Sequence, residues 1–456
     1  MKATEIVGKK VLVIGTGISG IGSTMLLGKV GAIPVILDEN ENVYEREIRT
    51  KLEGYKGDTP EIIIGKLPDE KIKELSLVVP SPAVPMDSPI MLRLLDAGLP
   101  VWSEIELAYN FAKGRMVAIT GTNGKTTTTT LVGEIMKAHF ASTYVVGNIG
   151  YSYAERALEM TEDTVSIGEI SSFQLEAVEN FHASVSAILN ITPDHLNRHH
   201  TMECYASMKE NITNNQTEDD TCVLNYDNEY TRDFAKRCPA KVVFFSTEEK
   251  LSDGYYQDGE EIFYAENGDA KRVMNIHDMN LVGSCNIQNV MAAIAMGRAM
   301  DVPMETILSV VHDFKAVEHR IEYVATKNGV DYYNDSKGTN PDAAIQGIKA
   351  MNKPTYLIGG GYDKGSEYDE WINAFGGKVK KLVLIGATKE KIAECADKNG
   401  FHDYVFMNSY KDALKYCSDN AVAGEAVLLS PACASWDMFP SYEVRGKQFK
   451  DYVNSL

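Results

Sequence analysis

Short apolar runs recur along the chain, separated by longer segments whose apolar residues fall at helical spacing. Residues 11–14, 35–37, 62–64 and 77–79 consist only of Val, Ile and Leu. Strands without polar alternation are buried on both faces, as in a parallel sheet covered by helices. Strands alternating with helices predict a doubly wound layer. The pattern restarts near Glu104 and runs to about Val317, with strands predicted at 117–119, 144–146, 165–167, 187–189 and 223–224. The acidic, glycine-containing stretch 247–269 reads as turns and a hairpin rather than core. A third series begins near His319, with strands at 355–358, 382–385 and 426–429. The expected fold is α/β in three domains, over residues 1–104, 105–317 and 318–456.

Two of these strands lead into glycine-rich turns. Gly121-Thr122-Asn123-Gly124-Lys125-Thr126-Thr127 follows the run 116–119 and opens a helix-compatible segment, 127–137. Glycines let backbone N–H groups face an anion, and a helix N-terminus adds positive field. Lys125 is placed for the outer phosphates of a nucleotide, and the Thr126 hydroxyl for a magnesium ion. The loop is shorter than G-x-x-x-x-G-K, which points away from GTPases and motors and toward ligases that activate a carboxylate with ATP. The alternative is a glycine turn with a surface lysine. Gly15-Thr16-Gly17-Ile18-Ser19-Gly20 fits G-x-G-x-x-G after strand 11–14, and Asp38 ends the next strand, where an acidic residue would hold a ribose. Alone this pattern suggests NAD. It requires only a diphosphate on a helix N-terminus and a ribose or base near Asp38, which a UDP-sugar also satisfies. A tight turn without ligand fits the spacing too. The second phosphate loop favours two different nucleotides, one per domain.

Composition narrows the partners. Across 456 residues the formal charge is −19, without a basic block. Nucleic acid and acidic membrane surfaces need clustered Lys and Arg, so neither is expected as a partner. The seven cysteines are scattered, with no C-x-x-C pair, as in a reduced cytosolic protein. The first residues carry charges and no apolar signal core, and no apolar stretch is long enough to span a bilayer. A cytoplasmic protein is expected.

Three further residues carry candidate chemistry. Glu169 ends the strand 165–167, beside the phosphate loop, where magnesium carboxylates sit. His195 follows another strand in Thr192-Pro193-Asp194-His195, and a metal or phosphate role stands beside an ordinary core or surface one. Lys209 lies in a helix-like stretch. A desolvated, neutral lysine adds carbon dioxide to become an anionic carbamate, which suits hard cations; a solvated helix lysine is the plainer reading.

The phosphate loop, Gly147-Asn148-Ile149-Gly150 and Glu169-Ile170-Ser171-Ser172-Phe173-Gln174-Leu175-Glu176 together resemble the Mur ligase family. So do Asp194-His195, Asn286 with Asn289, His319-Arg320 and Asn334-Asp335-Ser336-Lys337. The block Leu429-Ser430-Pro431-Ala432-Cys433-Ala434-Ser435 is the most discriminating, and is similar to the family's D-glutamate-adding members. The motifs span the whole chain in order. The resemblance implies a Rossmann-like UDP-binding domain, a central P-loop ATPase domain and a C-terminal Rossmann-like domain for the amino acid. It implies an acid–amino-acid ligase of peptidoglycan precursor synthesis, monomeric, acting on UDP-N-acetylmuramoyl-L-alanine, D-glutamate and ATP through an acyl phosphate. Two Mg2+ sites are implied.

Site roles follow by matching motif. Gly121, Asn123, Gly124, Lys125, Thr126 and Thr127 would hold ATP with Asn286, Arg320 and Asp335. Thr126, Glu169, His195 and carbamylated Lys209 would bind metal, and Lys125, Lys209, His195 and Lys337 would be catalytic. Thr16, Asp38, Ser81 and Asn148 would face the UDP substrate; Lys337, Thr339, Lys364 and Ser435 would receive D-glutamate. Three positions depart from the family pattern: Cys285 for histidine, Ala83 for glycine and Tyr442 for phenylalanine. The Gly-Thr-Asn-Gly-Lys form and the Ser-Pro-Ala-Cys-Ala-Ser block argue against the other amide ligases of the family. An NAD-dependent oxidoreductase would leave Lys125, Glu169 and the third domain without a role, and an ATP-binding switch would need neither two nucleotide folds nor paired lysines.

Overall fold

The structure, a computed structural model, describes residues 2–456. It forms two compact units. One runs through Met274 and takes in Val290–Val311; the other comprises Asn275–Asn289 and His312–Leu456.

The first unit contains two sheets. Strands β1 (Lys10–Ile14), β2 (Ile33–Asp38), β3 (Glu61–Ile64) and β4 (Leu75–Pro80) form a parallel sheet in the order β3-β2-β1-β4. The larger sheet contains β5 (Arg115–Thr120), β6 (Thr143–Gly147), β7 (Val165–Glu169), β8 (Val185–Ile188), β9 (Thr221–Asn225) and β10 (Lys241–Ser246). It is completed by β11 (Gly254–Asp258), β12 (Glu261–Glu266) and β13 (Asp269–Asn275), in the order β13-β12-β11-β10-β9-β8-β5-β7-β6. Of the all-apolar runs found in the sequence, 11–14, 35–37 and 77–79 are buried in the first sheet, whereas 62–64 is half-buried because β3 is an edge strand. One core joins them: Val11, Val13, Leu26 and Leu77 from the first side pack in the same cluster as Met116, Ala118, Phe181 and Ile188 from the second. The helix Ile18–Lys29 packs on the short helices Glu104–Tyr109 and Tyr153–Arg156 within it.

The second unit is built on a six-stranded sheet of β14 (Glu322–Lys327), β15 (Val330–Asn334), β16 (Thr355–Gly359), β17 (Val379–Leu384), β18 (Tyr404–Phe406) and β19 (Ala426–Leu429). The order is β14-β15-β19-β16-β17-β18, with only edge strand β14 antiparallel to its neighbour. Aliphatic residues cover both faces, Leu357 and Leu382 on one side and Ile358 and Val383 on the other. A doubly wound α/β layer requires this.

Several sequence expectations shift. The strand expected at 187–189 occupies Val185–Ile188, since Leu189 already turns toward the phosphate loop with its N–H on the Thr120 carbonyl. The helix expected at 127–137 extends over Lys125–His139 because Gly124, at φ 87°, serves as its N-cap. The stretch 247–269 does contain a hairpin, β11–β12, turning at Gly259. It is nevertheless core: Tyr255, Tyr256, Ile262 and Ala265 are buried, and β11 continues the central sheet from β10. The exposed acidic residues near its turn mask that alternation. Strands β10, β13, β14, β15 and β18 had no expectation.

Candidate active site

The phosphate loop is held from below. Asn123 donates its N–H to Asn190 Oδ1 at 2.8 Å, and Asn190 returns an Nδ2–H to the Asn123 carbonyl at 3.0 Å. The Thr122 hydroxyl donates to the Thr192 carbonyl at 3.1 Å and accepts the Thr192 N–H at 3.0 Å, with Tyr205 Oη 3.1 Å away. Gly124 supplies the left-handed turn that starts a fifteen-residue helix, so Gly121, Asn123, Gly124, Lys125, Thr126 and Thr127 all lie at one helix N-terminus. Asn190, Thr192 and Tyr205, which position this loop, carried no sequence motif of their own.

Two lysines converge here. Lys125 Nζ donates to the carbonyls of Gly121 at 2.7 Å and Thr122 at 2.8 Å, and Lys209 Nζ donates to the same Gly121 carbonyl at 2.9 Å. Lys209 lies in the helix Met202–Glu210, as expected, and is buried with its Nζ over the Tyr205 ring. Burial, with the Lys125 charge adding, drives its pKa well below that of an ordinary lysine.

Glu169 ends β7, as the sequence predicted. Asn148 Nδ2 donates to its Oε1 at 2.7 Å, while Oε2 is buried without a hydrogen-bond partner among the described residues. An unpartnered buried carboxylate oxygen calls for a cation or a donor that arrives with a ligand. A metal therefore fits at Glu169, although no group of three or more His, Cys, Asp or Glu among the described residues could hold one unaided. His195 is half-exposed at φ 53°, its N–H on Asp194 Oδ1 and its ring against Phe173. Neighbouring His199 is buried, bonded to Ser172, and pushed down to about 4 by burial and the Arg198 charge, so it is neutral at physiological pH.

The first glycine-rich turn sits on the same unit. A Cβ on Gly20 would lie 2.0 Å from the Gly15 carbonyl oxygen, so the turn requires glycine there, whereas one on Gly17 would meet nothing and leaves room for a ligand. Thr16 Oγ1 donates to Asp38 Oδ2 at 2.5 Å, joining two of the predicted substrate residues. Ser81 Oγ is buried and unpartnered among the described residues. Arg198 pairs with Glu176 and donates to the carbonyls of Ala83 and Val84, which fixes the loop after Ser81 onto the central sheet. The alanine at 83 takes part through its backbone.

In the second unit, loops at the C-terminal ends of β15, β16 and β19 meet, where ligands bind doubly wound sheets. Tyr362 donates its N–H to the Ala434 carbonyl at 2.9 Å, bringing the loop that carries Lys364 against that of Ser435. Lys364 Nζ lies over the Trp436 ring and Lys337 Nζ over that of Tyr442, both about as far as a cation–π contact extends, at 5.4 and 5.5 Å. Ser435 Oγ and Arg320 Nε are buried without partners among the described residues. Asp335 accepts from Ser430 at 2.7 Å, and burial pushes its carboxyl up to about 7. Asn286 donates to the Val282 carbonyl and accepts from Asn289. Beside it, burial and then Asp335 push the Cys285 thiol up to about 12. Thr339 is partly buried, its N–H on the Lys337 carbonyl.

Arg445 is the residue here that the sequence did not reveal. Fully buried, it donates to Ser336 Oγ at 3.0 Å, to the Ser336 carbonyl at 2.7 Å and to the Cys433 carbonyl at 3.3 Å. It thereby ties the Lys337 loop to the Ser435 loop. Arg445→Met should lower unfolding free energy by about 2 kcal/mol, because the carbonyls left behind lose their charged donor; urea titration reads this directly, and an unchanged midpoint would contradict it.

The chain matches the model of the Mur ligase middle domain over residues 119–297 and that of the Mur ligase glutamate ligase domain over 319–433. It is 58% identical to a UDP-N-acetylmuramoylalanine–D-glutamate ligase of Lachnospira eligens, over 99% of this chain and 100% of that one. It is 52% identical to the protein of that name from Lachnoclostridium phytofermentans, over 99% of each. Among solved structures, the UDP-N-acetylmuramate–alanine ligase of Thermotoga maritima shares the fold at a TM-score of 0.60 and 18% identity, covering 98% of this chain and 99% of that one. With two of its models matched in order and relatives this similar from end to end, the chain belongs to the Mur ligase family.

Proposed function

We infer that this protein is the ATP-dependent ligase that adds D-glutamate to UDP-N-acetylmuramoyl-L-alanine in peptidoglycan precursor synthesis. The observation that carries the reading is the 58% identity, over essentially the whole chain, with a relative named for that reaction. The domain boundaries 1–104, 105–317 and 318–456, a cytoplasmic location and a monomeric state belong to the same proposal. No helix among the described residues is long and apolar enough to cross a membrane.

The alanyl carboxylate attacks the γ-phosphorus of ATP, the bond to the β–γ bridging oxygen breaks, and ADP leaves. The amine of D-glutamate then attacks the acyl carbon, loses a proton, and phosphate departs as the amide forms. No enzyme nucleophile is required, so the protein's work is positioning and cancelling charge between crowded anions. In this reading Lys125 leaves the Gly121 and Thr122 carbonyls to meet the β- and γ-phosphates, while the loop N–H groups orient them. Thr126, Glu169, His195 and Lys209 as a carbamate would hold magnesium at two sites, which supplies charge cancellation on the phosphate oxygens. The unpartnered oxygen of Glu169 and the burial of Lys209, which drives its pKa well below that of an ordinary lysine, support these roles. Asn286 would contact adenine, and Arg320 and Asp335 the rest of the ATP. Thr16, Asp38, Ser81 and Asn148 would receive the UDP substrate. Lys337, Thr339, Lys364 and Ser435 would receive D-glutamate.

Phosphate release should require ATP, the UDP substrate and D-glutamate together. Hydrolysis of ATP by the enzyme alone, undiminished when either other substrate is omitted, would speak for a switch instead. NAD should not bind: with Thr16 already bonded to Asp38, the glycine turn is read as a UDP-sugar site. Saturable micromolar NAD binding lost in Asp38→Ala would restore the oxidoreductase reading.

A further inference from the structure

The nine-stranded sheet carries a second cleft at the end remote from the phosphate loop. Strands β5, β8, β9 and β10 run parallel, and the phosphate loop follows the last residue of β5, Thr120. The cleft instead uses the first residues of β9 and β10, Thr221 and Lys241. It has a volume of about 610 Å³, in the range of small-molecule sites. Its walls come from the β11–β12 hairpin, β13 and the helix Ser284–Ala299, all within the first unit where they line it.

Its charge runs against that of the chain. Lys241, Lys271, Arg272 and Arg298 line it against one carboxylate, Glu266, in a protein of net charge −19. Arg272 is offset by Glu261 at 2.5 Å. Lys241 and Lys271 make no ion pair among the described residues, and the Arg298 guanidinium donates to the Val302 carbonyl at 2.9 Å, which carries no charge. Tyr255 and Tyr264 form an aromatic wall, their ring centroids 4.8 Å apart, with Arg298 near enough to act electrostatically on both hydroxyls. Clustered cations repel one another unless anions neutralise them, and an aromatic wall gives such an anion a surface to cover. The proposed ligase reaction uses none of these groups.

We propose that this cleft binds a small organic polyanion with a flat body and at least two negative charges. The body lies on the Tyr264 ring, with Tyr255 tilted against it, and the charges meet Arg298, Lys241 and Lys271. The proposal does not depend on the ligase reading. The test is fluorescence titration of the full-length protein with pyrene tetrasulfonate, a planar polyanion. One-to-one saturable binding is expected, weakening with salt and persisting in saturating MgATP. Arg298→Gln should weaken it by about tenfold or more, the worth of a charge-assisted hydrogen bond. The double variant Lys241→Gln with Lys271→Gln alters exposed side chains only and should do the same with an unchanged melting curve. Should Arg298→Gln not fold, the double variant decides. Unsaturable binding, equal affinity in the folded charge variants, or displacement by MgATP would each overturn the proposal.

Discussion

Lys209→Ala is expected to reduce kcat by about a thousandfold or more, the scale on which a preorganised charge at a reacting phosphoryl group matters. Lys209 Nζ and Lys125 Nζ donate to one carbonyl, that of Gly121, and Lys209 is buried. Two ammonium ions so placed repel, and burial removes the water that would screen them. The lysine that yields is the buried one, Lys209, whose pKa falls well below the ordinary value. In the proposed role its uncharged form would add carbon dioxide and lose a proton, becoming an anion where a cation would oppose magnesium. Short carboxylic acids should therefore restore part of the lost rate in Lys209→Ala by entering the vacated space. Lys209→Arg should be as slow as the alanine variant and should not be rescued, since a guanidinium does not form a carbamate. Circular dichroism melts separate loss of fold from loss of chemistry. Near-normal turnover in Lys209→Arg would sink the idea.

The parts of this site visible in the sequence are those whose chemistry is local. Gly121 to Thr127 lie in one loop, and glycine, lysine and hydroxyl at that spacing identify a phosphate cradle wherever the fold puts it. Glu169 was legible because a buried strand ends on it. What the sequence hid depends on contacts between distant segments. Asn190 supports Asn123 from 67 positions away, and Arg445 reaches Ser336 across 109. Neither has a local signal, since a lone Asn or Arg is ordinary composition. The hairpin β11–β12 was legible as a hairpin, but its burial was hidden: its buried side chains are two tyrosines, an isoleucine and an alanine set among acids, so its pattern reads as surface until the sheet supplies a neighbour. Departures at Cys285, Ala83 and Tyr442 were visible as letters, but their effects lie in geometry. Cys285 is a neutral, half-buried thiol, Ala83 offers its carbonyl to Arg198, and Tyr442 presents its ring to Lys337.

Lys364→Ala should raise the KM for D-glutamate at least about thirtyfold and leave those for ATP and the UDP substrate within a few fold. D-Glutamate carries two carboxylates, and one must be held away from the amine that attacks. Truncating one partner of a desolvated charge pair costs about 2–5 kcal/mol, and 1.4 kcal/mol is about tenfold in affinity. Lys364 is exposed with its ammonium over Trp436, so it can close on an arriving carboxylate without breaking an ion pair. Ser435 is the complementary case. Its hydroxyl is already buried and unpartnered among the described residues, a cost relieved when a carboxylate accepts a hydrogen bond from its O–H. Ser435→Ala should thus weaken D-glutamate by about tenfold or more while making the free enzyme no less stable. Arg445→Lys separates positioning from contact. It retains charge but loses the fork that joins Ser336 to Cys433, so it should raise the D-glutamate KM with little change in that for ATP. L-Glutamate should be rejected, because inverting the α-carbon moves either the amine or a carboxylate off its partner. If Lys364→Ala weakens ATP and spares D-glutamate, the amino-acid site lies elsewhere than the loops after β15, β16 and β19.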